Sequence, residues 1–147
     1  MQYEILTTPL RFHLHGKSSA VDDGCYGEVG FKLMNEMWSV VKESQTANKG
    51  LNHWVYLPNG RMFAGVELEP DAPAPKELEP LSFELRRYLK HVHIGPYQAL
   101  PEKWKALKAE IAARGETIGD PSLEIYGHHC DDPAKTETTI LIGLKNS

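Results

Sequence analysis

Apolar residues recur along this chain with two different periods, and the order in which the periods alternate occurs twice. From about Leu10 to Ser18 apolar and polar residues take turns, as in a half-buried strand, and a loop containing Gly and Asp follows. From about Glu28 to Ser44, Leu33, Met34, Met37, Trp38 and Val41 return at three- and four-residue steps, which builds one apolar stripe along a helix. Two short strands, HWVYLP and RMFAGVEL, then flank Asn59-Gly60, a dipeptide whose tolerance of positive φ suits a two-residue hairpin turn. The first half, about residues 1–68, reads βαββ.

Residues 69–80, EPDAPAPKELEP, are rich in proline and acid and interrupt any central strand or long helix, so they read as a linker. After them the order returns, over about residues 81–147. A strand from about Leu85 to Ile94 precedes a helix that starts at Pro101, carries Trp104, Leu107 and Ile111 on its stripe and ends at Gly115. SLEIYG and TTILIGLK form a second strand pair. Half of this chain would bury too little apolar surface to fold alone. The expectation is therefore an α+β fold in which two βαββ units join in a pseudo-twofold arrangement. It has one antiparallel sheet, both helices on one face, a ligand groove, and residues 1–147 in a single domain.

Alternation sorts the strand residues into two sets. The helices are expected to cover the aliphatic set, so that Phe12, Leu14, Val55, Leu57, Val92, Ile94, Leu123 and Ile125 point at them. The opposite face then receives His13, His15, Trp54, Tyr56, His91, His93, Glu124 and Tyr126. Rings and a carboxylate are an unusual choice for a plain solvent face. An ionised carboxylate among them is costly unless a cation, a hydrogen-bond donor or protonation compensates. A cationic aromatic ligand would supply that partner, with Trp54, Tyr56, Tyr97 and Tyr126 adding stacking and cation–π attraction. Trp38 and Trp104 lie on helical stripes, where core packing is the simpler role and an edge turned to the groove the other. Tyr97, after Gly95-Pro96, either caps the helix start or reaches a ligand.

The two His-x-His pairs, His13/His15 and His91/His93, raise a metal-binding alternative, with His128, His129 and Cys130 as further donors. Yet the pairs occupy matching places in the two halves, so position in the repeat accounts for them as groove rim or strand surface. The expectation is no metal and no cofactor. With Cys25 and Cys130 so far apart, reduced thiols are the default. The formal charge of −4 offers no reason to seek a phosphate backbone. No stretch approaches the roughly 20 apolar residues of a membrane helix, and a cytoplasmic location with no nucleic-acid or membrane contact is expected.

HVHIGPYQALPEKWKALKAEIAARG, then EIYGHHCDDP and TETTILIGL, resemble the GyrI-like family, the effector-binding domain of AraC- and MerR-type multidrug-responsive regulators, over about Tyr88 to Leu144. The resemblance implies a groove for bulky, often cationic small molecules, with Glu124 as its carboxylate, Tyr126 as the strand partner, Tyr97 as the turn tyrosine and Trp104 as the helix tryptophan. Trp54, Tyr56, His93 and Trp38 complete the candidate ligand-binding set. Regulators of the family add a DNA-binding helix-turn-helix, and here a strand near residue 10 is expected instead. The resemblance also carries a hydrolase alternative, with Glu124 as base and Tyr97 or Tyr126 as proton donor, and a gyrase-inhibitor-like alternative with a protein partner.

Overall fold

The computed structural model of the chain describes residues 2–22, 24–127 and 131–145. Its strands are β1 (Glu4–Leu6), β2 (Leu10–Ala20), β3 (Asn52–Leu57), β4 (Arg61–Val66), β5 (Glu79–Leu85), β6 (Tyr88–Ile94), β7 (Ile118–Tyr126) and β8 (Glu137–Leu144). The long helices are α1 (Tyr26–Ser44) and α2 (Leu100–Ala113). One antiparallel sheet takes the order β1-β6-β8-β7-β3-β4-β2-β5. The permutation β2-β4-β3 of the first half returns as β6-β8-β7 in the second, and the halves meet where β3 pairs with β7. Two strands exceed the expected pattern. The end of the proline-rich segment becomes β5, which pairs with β2, and the N-terminal β1 crosses to the second half to pair with β6.

Local chemistry sets the boundaries of these elements. Asn59 and Gly60 both take positive φ, 64° and 68°, which matches the right-handed twist of the β3–β4 hairpin. Pro101 lies in the first turn of α2, where its missing N–H is not needed. Gly115, at φ 74°, ends that helix: its N–H donates to the Ala112 carbonyl and the N–H of Glu116 to the Ile111 carbonyl, the paired bonds of a Schellman cap.

The sheet curls, because β5 and β6 stand near opposite ends of the strand order yet only Arg86 and Arg87 separate them in sequence. Closing that gap turns one face inward. Phe12, Leu14, Val55, Phe63, Leu85, Tyr88, Leu123 and Leu141 fill the concave side, and no helix residue joins them. At Gly16 the curl brings β2 so close to β4 that an added Cβ would lie 2.0 Å from the Ala64 carbonyl oxygen.

Both helices lie on the same face, and it is the opposite face from the one expected. On α1, Leu33 packs with Trp54, Met62 and Ala64; on α2, Leu107 and Ile111 pack with Leu89, Ile140 and Ile142. Cross-strand register places Ile140, Glu124, Trp54 and Ala64 in one row across β8, β7, β3 and β4. The aromatic and carboxylate set therefore meets the helices, and the aliphatic set closes on itself inside the curl. Val92 and Ile94, expected in the core, are 39% and 65% exposed, toward the end of β6 that lies beyond the concave cluster.

Candidate functional site

Between the N-terminal halves of α1 and α2 lies a cavity of about 780 Å³ whose floor is the β3–β7 junction. Trp54 and Tyr56 of β3 and Ser122, Glu124 and Tyr126 of β7 form the floor. Tyr26, Gly27, Phe31 and Met34 of α1 make one wall, and Leu100, Pro101, Trp104 and Lys108 of α2 make the other. Tyr97, in a single 3-10 turn before α2, stands at one end.

Glu124 is the centre of this arrangement and only 3% exposed. Its Oε1 accepts from the hydroxyls of Tyr56 and Tyr126, each at 2.6 Å, and its Oε2 accepts from the indole N–H of Trp104 at 2.8 Å. No arginine or lysine lies within ion-pair distance of it among the described residues. The charge is thus held by neutral donors alone. Such donors satisfy lone pairs and stabilise a carboxylate, but they supply no countercharge. Burial first, and the neighbouring carboxylate second, push the phenols of Tyr56 and Tyr126 far above the ordinary tyrosine value, so both stay protonated as donors.

The rings around the carboxylate meet edge to face. Phe31 stands at 5.3 Å from Trp54, Trp54 at 5.2 Å from Tyr126, Tyr97 at 5.4 Å from Tyr126, Tyr56 at 5.6 Å from Trp104 and Tyr26 at 5.3 Å from Tyr56. T-shaped contacts of this kind hold rings at fixed angles. The result is a preformed, mostly apolar concavity with, among the described residues, one charged group at depth, the usual form of a small-molecule site.

Of the residues expected from sequence, Glu124, Tyr126, Tyr97, Trp54, Tyr56 and Trp104 all line the cavity. Trp38 and His93 do not. The Trp38 ring packs beside Met37 and Val66, and its N–H donates at 2.5 Å to the side-chain oxygen of Asn52, which does line the cavity. His93 is buried and bonds through Nε2 to the Pro96 carbonyl at 3.1 Å, so it fastens the Gly-Pro turn to its strand. His91 does the same for the N-terminal segment, with Nδ1 at 2.5 Å from the Gln2 carbonyl. In the first half His13 is exposed and bonds Ser82 at 2.5 Å, with the His15 ring beside it. Among the described residues no three His, Cys, Asp or Glu side chains converge as a metal site, and His128, His129 and Cys130 lie outside those residues. Nor is any described helix long and apolar enough to cross a membrane.

Sequence reasoning missed Tyr26, Phe31 and Lys108. Phe31 is 56% exposed and flanks the buried stripe of α1, three residues before Met34 and seven before Trp38, and an exposed aromatic at that helical spacing is the signal that could have found it. Tyr26 falls two residues before the expected helix start.

A curled antiparallel sheet with two helices on its outer face, and an aromatic cavity between them, defines a small-molecule-binding domain. The GyrI-like small molecule binding domain matches residues 59–145, more than half of the chain, and the chain belongs to that family. Among curated proteins no sequence match is found. Solved structures share the fold. SAV2435 bound to tetraphenylphosphonium aligns with a TM-score of 0.68 at 16% identity, over 99% of this chain and 95% of that one. The EcmrR C-terminal domain aligns with a TM-score of 0.70 at 17% identity over 100% of both chains. A hydrolase from Listeria innocua aligns with a TM-score of 0.59 at 12% identity, over 98% of this chain and 92% of that one.

Proposed function

We propose that this protein binds bulky, amphipathic, cationic aromatic molecules in the cavity, with Glu124 as the group that recognises their charge, in the sensing or sequestration of such compounds. The observation that carries the reading is the Glu124 carboxylate itself, 3% exposed, held among the described residues by three neutral donors and walled by aromatic rings. A buried anion without a countercharge is a standing electrostatic cost, and a flat cation entering the cavity relieves it while stacking on the surrounding rings. That SAV2435 was solved with tetraphenylphosphonium, an aromatic cation, supports this ligand chemistry.

The hydrolase alternative draws on the same residues and on the fold shared with the Listeria innocua hydrolase. It is the weaker reading, because burial and the adjacent charge make Tyr126 a poor acid and Tyr97 meets Tyr126 edge to face without bonding Glu124.

The test is Glu124→Gln, with a fluorescent cationic aromatic dye and a neutral dye of the same shape, following both binding and product formation. Affinity for the cation is expected to fall by about 1.5–3 kcal/mol, roughly 10- to 150-fold, with little change for the neutral dye. Equal affinities of variant and parent for the cation overturn the proposal. Turnover that disappears with the carboxylate favours the hydrolase.

A further inference from the structure

Among the described residues two charged side chains line the cavity, and they stand at different depths: Glu124 on the buried floor and the exposed Lys108 on the wall of α2. Lys108 follows Trp104 by one helical turn, and its ammonium lies 5.9 Å from the centre of the Trp104 ring. The same indole gives its N–H to Glu124 Oε2 at 2.8 Å. One ring thus contacts both groups, which form no ion pair with each other, and Lys108 has no carboxylate partner among the described residues.

We propose that Lys108 is a specificity-determining residue that favours bipolar ligands, with a cationic aromatic body toward Glu124 and an anionic or acceptor-bearing end at the mouth beside Lys108. This deepens the binding reading above and rests on it. A simple monocation that stacks near Trp104 meets a like charge already placed over that ring, which opposes binding. A ligand carrying a carboxylate at its outer end turns the same lysine into an attraction. Lys108 is exposed and solvent screens it, so the preference is modest, about two- to fivefold.

Rhodamine 110 and rhodamine 123 share one xanthene cation and differ in carrying a free carboxylate or its methyl ester, so they isolate the outer charge. Fluorescence polarisation with the full chain at low salt, on the parent, Lys108→Met and Glu124→Gln, measures both affinities. The parent is expected to prefer the free acid about two- to fivefold, and Lys108→Met to bring the ratio near one by weakening the acid and strengthening the ester. Glu124→Gln is expected to weaken both dyes. An acid-to-ester ratio that is unchanged in Lys108→Met, while Glu124→Gln still weakens both, overturns the role of Lys108 and leaves the cavity reading standing. Failure of both dyes to bind, or indifference of both to Glu124→Gln, overturns the binding reading and this inference with it.

Discussion

Removing a single hydroxyl from Tyr126 tests whether the folded protein spends its aromatic donors on holding a buried charge. In the structure that hydroxyl donates to Glu124 Oε1 at 2.6 Å, beside a second donor from Tyr56 at the same distance. A hydrogen bond to a charged group contributes about 1.5–3 kcal/mol, against about 0.5–1.5 kcal/mol between neutral groups. Tyr126→Phe keeps the ring and its contacts with Trp54 and Tyr97, so packing changes little. Because Oε1 retains its bond from Tyr56, the lower part of the range applies, and a loss of about 1.5–2 kcal/mol is expected. In a Glu124→Leu background the same substitution removes a hydroxyl that no longer has its acceptor, and is expected to be neutral or slightly stabilising. Urea denaturation of the four proteins, followed by far-UV circular dichroism, closes the double-mutant cycle. A coupling energy of about 1.5 kcal/mol or more is the expected result. If Tyr126→Phe costs the same in both backgrounds to within about 0.5 kcal/mol, the hydroxyl and the carboxylate do not support one another and the account of the cavity floor fails.

Alkaline pH gives a second measurement on the same groups. The folded phenols of Tyr56 and Tyr126 lie above the unfolded value near 10, so the unfolded chain loses those protons first. The stability they contribute is complete below about pH 10 and falls above it, by up to about 1.4 kcal/mol per pH unit for each group. Melting temperatures recorded from about pH 9 to about pH 11 should drop less steeply in the Tyr56→Phe, Tyr126→Phe double variant, and equal slopes would contradict the assignment. Gly30 is a third test, since a Cβ there would lie 2.4 Å from Cζ3 of Trp54. Gly30→Ala gains up to about 1 kcal/mol of helix propensity, but overpacking against the indole costs about 1–3 kcal/mol. A net loss of stability with an altered near-UV spectrum is expected, and a higher Tm with an unchanged spectrum would show that Trp54 does not rest on α1 at Gly30.

Sequence alone was enough for the repeated βαββ order, the Asn59-Gly60 hairpin and the ends of α2, because each follows from chemistry among neighbouring residues. A positive φ, a missing N–H or a three-to-four period is written within a few positions of where it acts. Alternation also separated Glu124, Trp54, Tyr56 and Tyr126 from Leu123, Val55 and Leu57 as residues of opposite faces. Which face meets the helices was a different matter. A period of two names two sets without saying what covers either, and the assumption that helices cover the aliphatic one was wrong for this sheet. The short β5–β6 connection forces a curl, the curl buries the aliphatic face against itself, and the helices are left with the aromatic face. The fate of the histidines was decided in the same way: His91 and His93 bond to Gln2 and Pro96, and only the crossing of β1 to the second half brings residue 2 beside residue 91. Tyr26, Phe31 and Lys108 became cavity residues for a related reason. A helix residue lines a site only once the helix is docked, and docking depends on contacts between elements far apart in the chain, about which local periodicity is silent.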